Sequence, residues 1–419
     1  MKVLLIAAQP FRPSENSRSV MTYFSAFDPQ EVVQVFSDAR TPIKGLASQY
    51  FQITDKRLLK RRFKKEPDVI FHRETLSETE AEAVNLRPKL FRKRGGFYRL
   101  LRAVIWKKKY WDTQKLESFV EDFSPDLVYV CWGPDLWQMD LAIHFATERK
   151  LPLVVSIMDD CFANFGKRRS LWDKKYERLF RETFSKLLSL NPSGVYISEK
   201  IREKYHSEFG LDGIVVPVAS SRAVRQPDVS SFLRGPFTYM GNLESGRDEA
   251  LYAFAQALAK ADKKEKVLVY SKDYEKAKKR LPSPNIEWMA PLPYDQLPEI
   301  EAKAGALISC EGFSQENIDK VRYSLSTKVG DCLRSGKVLL SLGPIGAGSV
   351  DYLKEKDAAL FCTSLNAMDQ FIEDMYTKTE EELLALVQRE LQAGMDFDLK
   401  TNAEKVRDYL LGLVRKSGE

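Results

Sequence analysis

The sequence predicts an α/β protein of two doubly wound domains facing across a cleft. Three observations predict it. Short, continuously apolar stretches alternate with helix-periodic ones, the pattern of parallel strands covered on both faces. The alternation stops at a polar stretch, residues 219–236, and then restarts. The chain has 419 residues, enough for two such domains at roughly 100–200 residues each.

Lys2-Val3-Leu4-Leu5-Ile6-Ala7 reads as the first strand, followed by a polar loop over 9–18 and a helix over 19–27. Asp126-Leu127-Val128-Tyr129-Val130-Cys131 is a second clear strand, entered through Ser124-Pro125 and closed by Gly133-Pro134. Glycine and proline at those positions end regular structure. A helical pattern over 136–149 leads to a strand over 153–157 that ends at Met158-Asp159-Asp160. A helix over 174–188, a strand over 194–198, a helix over 199–209 and a strand over 213–218 complete the first set. Residues 219–236 read as a linker that permits hinge motion. Beyond it come a strand at 237–240, a glycine turn, a helix at 249–260, and strands at 267–270, 306–309 and 338–342. These limits place a first domain at 1–220 and a second at 236–395, with a terminal helix over 400–419 packing back on the first.

Composition excludes several classes. Apolar residues at 44% and charged residues at 30% exclude a chain disordered throughout, a collagen-like repeat and a disulfide scaffold. No apolar run approaches the roughly 18 residues of a membrane-spanning helix. The apolar start at 3–8 is too short for a signal-peptide core, so a cytoplasmic chain is expected. The five cysteines are scattered with no CxxC spacing, and His72, His144 and His206 do not cluster with them. That argues against a metal centre.

The net charge of +6 is unevenly distributed. Residues 87–109 hold ten basic side chains and no acidic one, and residues 56–65 hold seven more. Those stretches carry +17, leaving 6 − 17 = −11 for the rest. Phe97, Leu100, Leu101, Val104 and Ile105 recur at helical spacing, with Arg99, Arg102, Lys107, Lys108 and Lys109 as charges and Trp106 and Trp111 as interfacial aromatics. A basic amphipathic helix with tryptophan marks a membrane surface, and the residues expected there are Arg99, Arg102, Trp106, Lys107, Lys108 and Lys109. The other reading is a solvated helix whose apolar stripe packs on its own domain. No recognised nucleic-acid module accompanies the charge, and no nucleic-acid partner is expected.

Ligands of doubly wound sheets bind beyond the C-terminal ends of the strands, and three such loops stand out. In Gly241-Asn242-Leu243-Glu244-Ser245-Gly246-Arg247 a strand enters a glycine turn with an arginine six residues on. Glycine lets backbone amides approach an anion, and arginine offers a fork suited to phosphate. An ordinary strand-to-helix turn is the alternative. Ser326-Thr327-Lys328 reads as a helix N-terminus with a cation in its first turn, set against the helix dipole. Asp331, three residues on and on the same face, suits a ribose diol. Gly343-Pro344-Ile345-Gly346-Ala347-Gly348-Ser349 is a glycine-rich loop that matches no nucleotide-binding signature.

At these residues the sequence resembles the GT-B fold glycosyltransferases, specifically the glycogen-synthase-like retaining family 4. The resemblance implies two Rossmann-like domains. The family's Gly-Arg-Leu-x-x-x-Lys element is similar to Gly241 to Arg247, with Asn242 for the usual arginine and Arg247 at the lysine position. Its Ser-x-x-Lys-x-x-Glu element resembles the run from Ser326, with Asp331 for the glutamate that holds the donor ribose. The first glutamate of the paired form would fall at Tyr323, and Glu311 is a candidate substitute. Asp159 and Asp160 stand where relatives carry a cleft-facing His or Asp. The loop over 10–18 corresponds to the family's glycine-rich loop, with Ser14, Asn16, Ser17 and Arg18 toward the acceptor. Asp396-Phe397-Asp398 resembles the family's C-terminal crossover, and no metal is implied.

The resemblance implies retaining transfer of a sugar from a UDP-, GDP- or dTDP-linked donor to a hydroxyl of a saccharide or lipid-linked acceptor, without a cofactor. The expected setting is cell-surface polysaccharide or glycolipid assembly in a bacterium, on an anionic inner membrane face. Arg247 and Lys328 are expected to stabilise the leaving diphosphate, with Asp159 or Asp160 near the reacting sugar. Gly241, Asn242, Met289, Ala290, Leu292, Ser326, Thr327, Asp331 and Gly346 are expected to complete the donor site. An inactive nucleotide-sugar-binding scaffold and a nucleotide-sugar 2-epimerase are the alternatives.

Overall fold

All five residues of Val3-Leu4-Leu5-Ile6-Ala7 are buried, as an unbroken apolar run requires of a strand covered on both faces. In the computed structural model, which describes residues 1–418 apart from 12–17, 64–66, 78–94 and 166–169, this is strand β1 (Val3–Ala7). The first sheet continues with β2 (Val32–Phe36), β3 (Gln49–Gln52), β4 (Val69–His72), β5 (Leu127–Cys131), β6 (Leu153–Ile157), β7 (Ser193–Tyr196) and β8 (Gly213–Val215). Its eight strands lie in the order β4-β3-β2-β1-β5-β6-β7-β8. All pair in parallel except β3 with β4 at one edge. None of the four β4 residues is buried, and an edge strand freed from two-sided burial need not run parallel.

The second sheet holds β9 (Phe237–Met240), β10 (Val267–Tyr270), β11 (Ile286–Met289), β12 (Ala306–Cys310), β13 (Val338–Leu342) and β14 (Leu360–Cys362). Its six strands are all parallel, in the order β11-β10-β9-β12-β13-β14. Counted within this sheet the order is 3-2-1-4-5-6, that of a Rossmann-like, doubly wound domain. Strand order reverses once in each sheet, between β1 and β5 and between β9 and β12. Ligands of such sheets bind at these switch points.

The chain divides into two compact units, Met1–Val218 with Leu399–Glu419, and Ala219–Asp398. The terminal helix Leu399–Gly418 belongs to the first. Its Val406 and Leu410 join the core of Val3, Tyr23, Phe24 and Tyr129, and Arg407 grips Glu31 at 2.6 Å. Residues 219–236, expected as a flexible linker, are built into the second unit. Ser220 Oγ donates to Asp331 at 2.6 Å, and the Arg225 amide donates to the Arg334 carbonyl at 3.0 Å. The Asp228 amide donates to the Gly336 carbonyl at 2.7 Å, and Lys337 Nζ reaches Asp228 at 2.5 Å. The stretch is polar because its partners are backbone groups and charges, and polarity alone resembles a solvated linker.

One buried acid gives the second unit a pH dependence. Glu390, on helix Glu380–Gly394, is 1% exposed and accepts from the Leu339 amide in β13 at 3.0 Å. Burial pushes its carboxyl up from 4.5 to about 8. The folded chain therefore binds this proton more tightly than the unfolded one. Its stabilising contribution is full below about pH 4.5 and is lost as pH rises through about 8. Glu390→Gln, which keeps the acceptor for Leu339, should remove this slope and stabilise the protein by roughly 3 kcal/mol at pH 7. Urea unfolding at pH 5 and pH 8 checks this. Wild type and variant should converge at the lower pH and separate at the higher.

Candidate functional site

The site grows from the switch point of the second sheet. Strand β9 ends at Met240, and the turn that follows brings Ser245 and Gly246 to positive φ, 58° and 76°. Arg247 then opens the helix Arg247–Lys260. Its guanidinium is directed back at the end of β12. There Nε donates to the Cys310 carbonyl at 3.2 Å and to Glu311 Oε2 at 3.0 Å, and a terminal nitrogen lies 2.8 Å from the same oxygen. The other terminal nitrogen donates to Asn242 Oδ1 at 2.5 Å. Glu311 is 3% exposed. Burial pushes its carboxyl up, against the opposing pull of Arg247 and Lys328. Burial likewise lowers the Arg247 pKa, but Glu311, with Tyr239 and Cys310, more than offsets it and holds the guanidinium above its ordinary value.

Lys328 reaches the same place from another helix. A Cβ on Gly241 would stand 2.6 Å from Lys328 Nζ, so a side chain there would push the lysine arm aside. The expected helix N-terminus is present: Ser326 caps the helix Thr327–Leu333, and its Oγ accepts from the Lys328 amide. The Ser326 amide donates to Ser349 Oγ at 2.9 Å, so it is committed within the protein. The Gly241-to-Arg247 turn and Lys328, singled out from two separate stretches of sequence, therefore converge at the ends of β9 and β12. Glu311, weighed from sequence only as a stand-in for a displaced glutamate, anchors the group. The signal that finds it is its position directly after a buried strand.

Other expected donor residues have intramolecular roles. Asp331 is buried and accepts from Ser220 at 2.6 Å and from the Tyr294 hydroxyl at 3.5 Å. Gly346 takes φ 97°, and its amide donates to Asp351 at 2.9 Å. Met289 closes β11, followed by exposed Ala290 and half-buried Leu292. Trp288 is part of β11 and turns into the core, where its indole donates to the Leu281 carbonyl at 3.1 Å.

In the first unit Asp159 and Asp160 follow β6, as expected, but they differ. Asp159 is exposed. Asp160 is 9% exposed, caps the short helical turn Cys161–Asn164 through the Phe162 amide at 3.0 Å, and accepts from the Tyr205 hydroxyl at 3.0 Å. Lys204 Nζ stands 3.9 Å from its other oxygen, so the contacts of Asp160 are made within its own unit. Arg18 is 5% exposed at the start of the helix Arg18–Phe24, while Ser14, Asn16 and Ser17 lie outside the described residues.

Two of the six expected membrane residues are corrected outright. Arg102 is 8% and Trp106 2% exposed. Arg102 pairs with Asp55 at 2.9 Å and with Asp135, and the Trp106 indole donates to Asp55 at 2.6 Å. Arg99 lies over the Tyr176 ring at 5.5 Å, and Lys107, Lys108 and Lys109 are exposed.

The carboxylates of Asp396 and Asp398 are occupied by Tyr352 at 3.0 Å with Lys356 at 3.2 Å, and by Arg334 at 3.6 Å. Among the described residues, Asp112, Glu117 and His144 bring ligand-type atoms within 4.8 Å of one another. Lys108 and Arg149 already supply the positive charge at that trio, at 3.6 Å from Asp112 and 3.0 Å from Glu117.

Comparison with solved structures matches this two-sheet architecture over nearly the whole chain. Sucrose-phosphate synthase from Thermosynechococcus elongatus superposes with a TM-score of 0.60 at 10% identity, covering 99% of this chain and 100% of that one. The fold is GT-B. WaaG, a glycosyltransferase involved in lipopolysaccharide biosynthesis, gives 0.57 at 12% identity over 97% and 98%. Anabaena HepE in complex with UDP-glucose gives 0.54 at 11% over 98% and 100%. No protein-family model and no curated protein matches the sequence. Similarity at this level of identity establishes the GT-B fold, and function has to be argued from the residues.

Proposed function

We propose that this GT-B chain transfers a sugar from a nucleoside-diphosphate sugar to an acceptor hydroxyl, with retention at the anomeric carbon. The observation that carries the proposal is the convergence of Arg247 and Lys328 on the Gly241 turn, beside the switch point of a Rossmann-ordered sheet. As the glycosidic bond breaks, negative charge grows on the β-phosphate. Two cations fixed by protein contacts stabilise that charge without reorganising when it forms. They supply positive charge at the diphosphate, and the proposal invokes no metal.

Glu311 and Asn242 hold the Arg247 fork in one orientation, and Met289 to Leu292 bound the region for the base. Asp159, exposed after β6, is the polar group of the first unit proposed for the reacting sugar. The solved neighbours support a UDP-linked sugar as the first donor to test, since HepE is complexed with UDP-glucose. WaaG supports a role in cell-surface glycolipid or polysaccharide assembly.

The experiment is a panel of UDP-, GDP- and dTDP-sugars scored for release of the nucleoside diphosphate, with the anomeric configuration of the product read by NMR. An α-linked donor should give an α-linked product. An inverted product would contradict retention, and diphosphate binding with no turnover of any donor would indicate a binding scaffold.

A further inference from the structure

The helix Gly96–Ile105 turns Arg102 and Trp106 inward and other residues outward. Phe97 is 43% and Val104 40% exposed, seven positions apart on one helical face. Beside them, at the start of helix Leu171–Leu188, Leu171 is 81% and Trp172 49% exposed. The Phe97 and Trp172 rings meet edge to face at 5.5 Å. A single exposed leucine is ordinary. Four large apolar side chains on two adjoining helices form a patch, and patches of this kind mark interaction sites.

The patch is rigid. Asp173 Oδ1 accepts from the Gly96 amide at 2.6 Å, and the same carboxylate completes the capping box with Ser170. A Cβ on residue 96 would stand 2.5 Å from the Asp173 Cα and backbone nitrogen, so glycine alone lets the two helix starts meet.

The charge around the patch is positive. Lys174 and Lys175 are exposed one turn beyond Leu171, and Lys107 and Lys109 are exposed beyond the end of the other helix. The acids nearby are spent: Asp173 on Gly96 and Ser170, and Glu177 on Arg181 at 2.8 Å. In sequence, Arg92-Lys93-Arg94 precedes Gly95 and Lys167-Arg168-Arg169 precedes Ser170. Tryptophan, phenylalanine and leucine among lysines suit the headgroup layer of an anionic bilayer. There apolar side chains insert, and ammonium groups stay with the phosphates.

We propose that this corner docks the chain on an anionic lipid surface, with Phe97, Leu171 and Trp172 entering the headgroup layer and Lys174 and Lys175 facing the lipid phosphates. The proposal stands apart from the proposed reaction and survives its failure. The test is flotation of the full chain with vesicles of phosphatidylcholine alone and of phosphatidylcholine mixed with phosphatidylglycerol.

Wild type should bind the mixed vesicles, lose binding as salt is added, and leave the neutral vesicles unbound. The triple variant Phe97→Ser, Leu171→Ser, Trp172→Ser should bind at least about tenfold more weakly. So should Lys174→Glu with Lys175→Glu. Thermal melting should show both variants folded, since every altered side chain is exposed. Equal binding to both kinds of vesicle, or unchanged binding by both variants, overturns the proposal. So does a wild type that binds no vesicle but self-associates in sedimentation velocity, with the triple variant monomeric; that result would make the corner a contact between copies.

Discussion

Arg247→Ala is expected to lower the rate of nucleoside-diphosphate release from the sugar donor by about 10²–10³-fold, the effect of removing one preorganised donor to a developing oxyanion. The same change leaves the Glu311 carboxylate, 3% exposed, without its fork. Breaking a buried pair from one side costs roughly 3–5 kcal/mol, so the single variant mixes lost chemistry with lost stability. Arg247→Met with Glu311→Gln separates them. No buried charge is left alone, the melting temperature should return near that of wild type, and the rate should stay low. Arg247→Lys keeps a charge but loses the fork that spans Asn242 and Glu311, and its rate should fall between the two. If the double variant recovers the wild-type rate, Arg247 acts on stability alone.

Arg102→Ala is expected to give a large loss of stability with no change in vesicle binding. Arg102 is held by Asp55 at 2.9 Å and by Asp135, and Asp55 is 4% exposed. Burial lowers the guanidinium pKa, and the two aspartates reverse this and hold it above its ordinary value. Truncating it strands Asp55 with only the Trp106 indole and the helix around it, at a cost of roughly 3–5 kcal/mol. For a unit of this size that corresponds to a melting temperature lower by roughly 10 °C, read by calorimetry. Arg102→Met with Asp55→Asn should restore most of it. A stable Arg102→Ala protein that no longer floats with anionic vesicles would put Arg102 back at the membrane surface.

These two arginines show what the sequence makes legible and what it does not. The helix over 96–105 is plain from its 3.6-residue period, but a period tells which residues share a face and not which face is covered. Arg102 turns inward because Asp55 and Asp135, 47 and 33 residues away, wait there, and nothing local announces them. Arg247 was legible as a cation after a strand-end glycine turn. Glu311 was legible as an acid directly after a strand, but its pairing with Arg247, 64 residues away, was not, since only the sheet order places the end of β12 beside that of β9.

Strands β1 and β5 are readable as unbroken apolar runs, and β6 and β13 as apolar runs with one small buried serine each, Ser156 and Ser341. Strand β2 is hidden by Gln34, a fully buried amide that accepts from the Phe11 backbone at 3.1 Å and donates to the Gln9 carbonyl at 2.9 Å. Polar character marks a solvated loop only when its hydrogen bonds go to water. In β2 and in residues 219–236 they go to the protein.

The central claim is that the second unit holds a nucleoside diphosphate through Arg247 and Lys328, and isothermal titration of the intact chain with UDP, GDP and dTDP tests it most directly. At least one diphosphate should bind wild type. Lys328→Ala, and separately Arg247→Met with Glu311→Gln, should each weaken that binding by about tenfold or more, the worth of one charge-assisted contact. Binding of none of the three, or binding unchanged in both variants, would contradict the account.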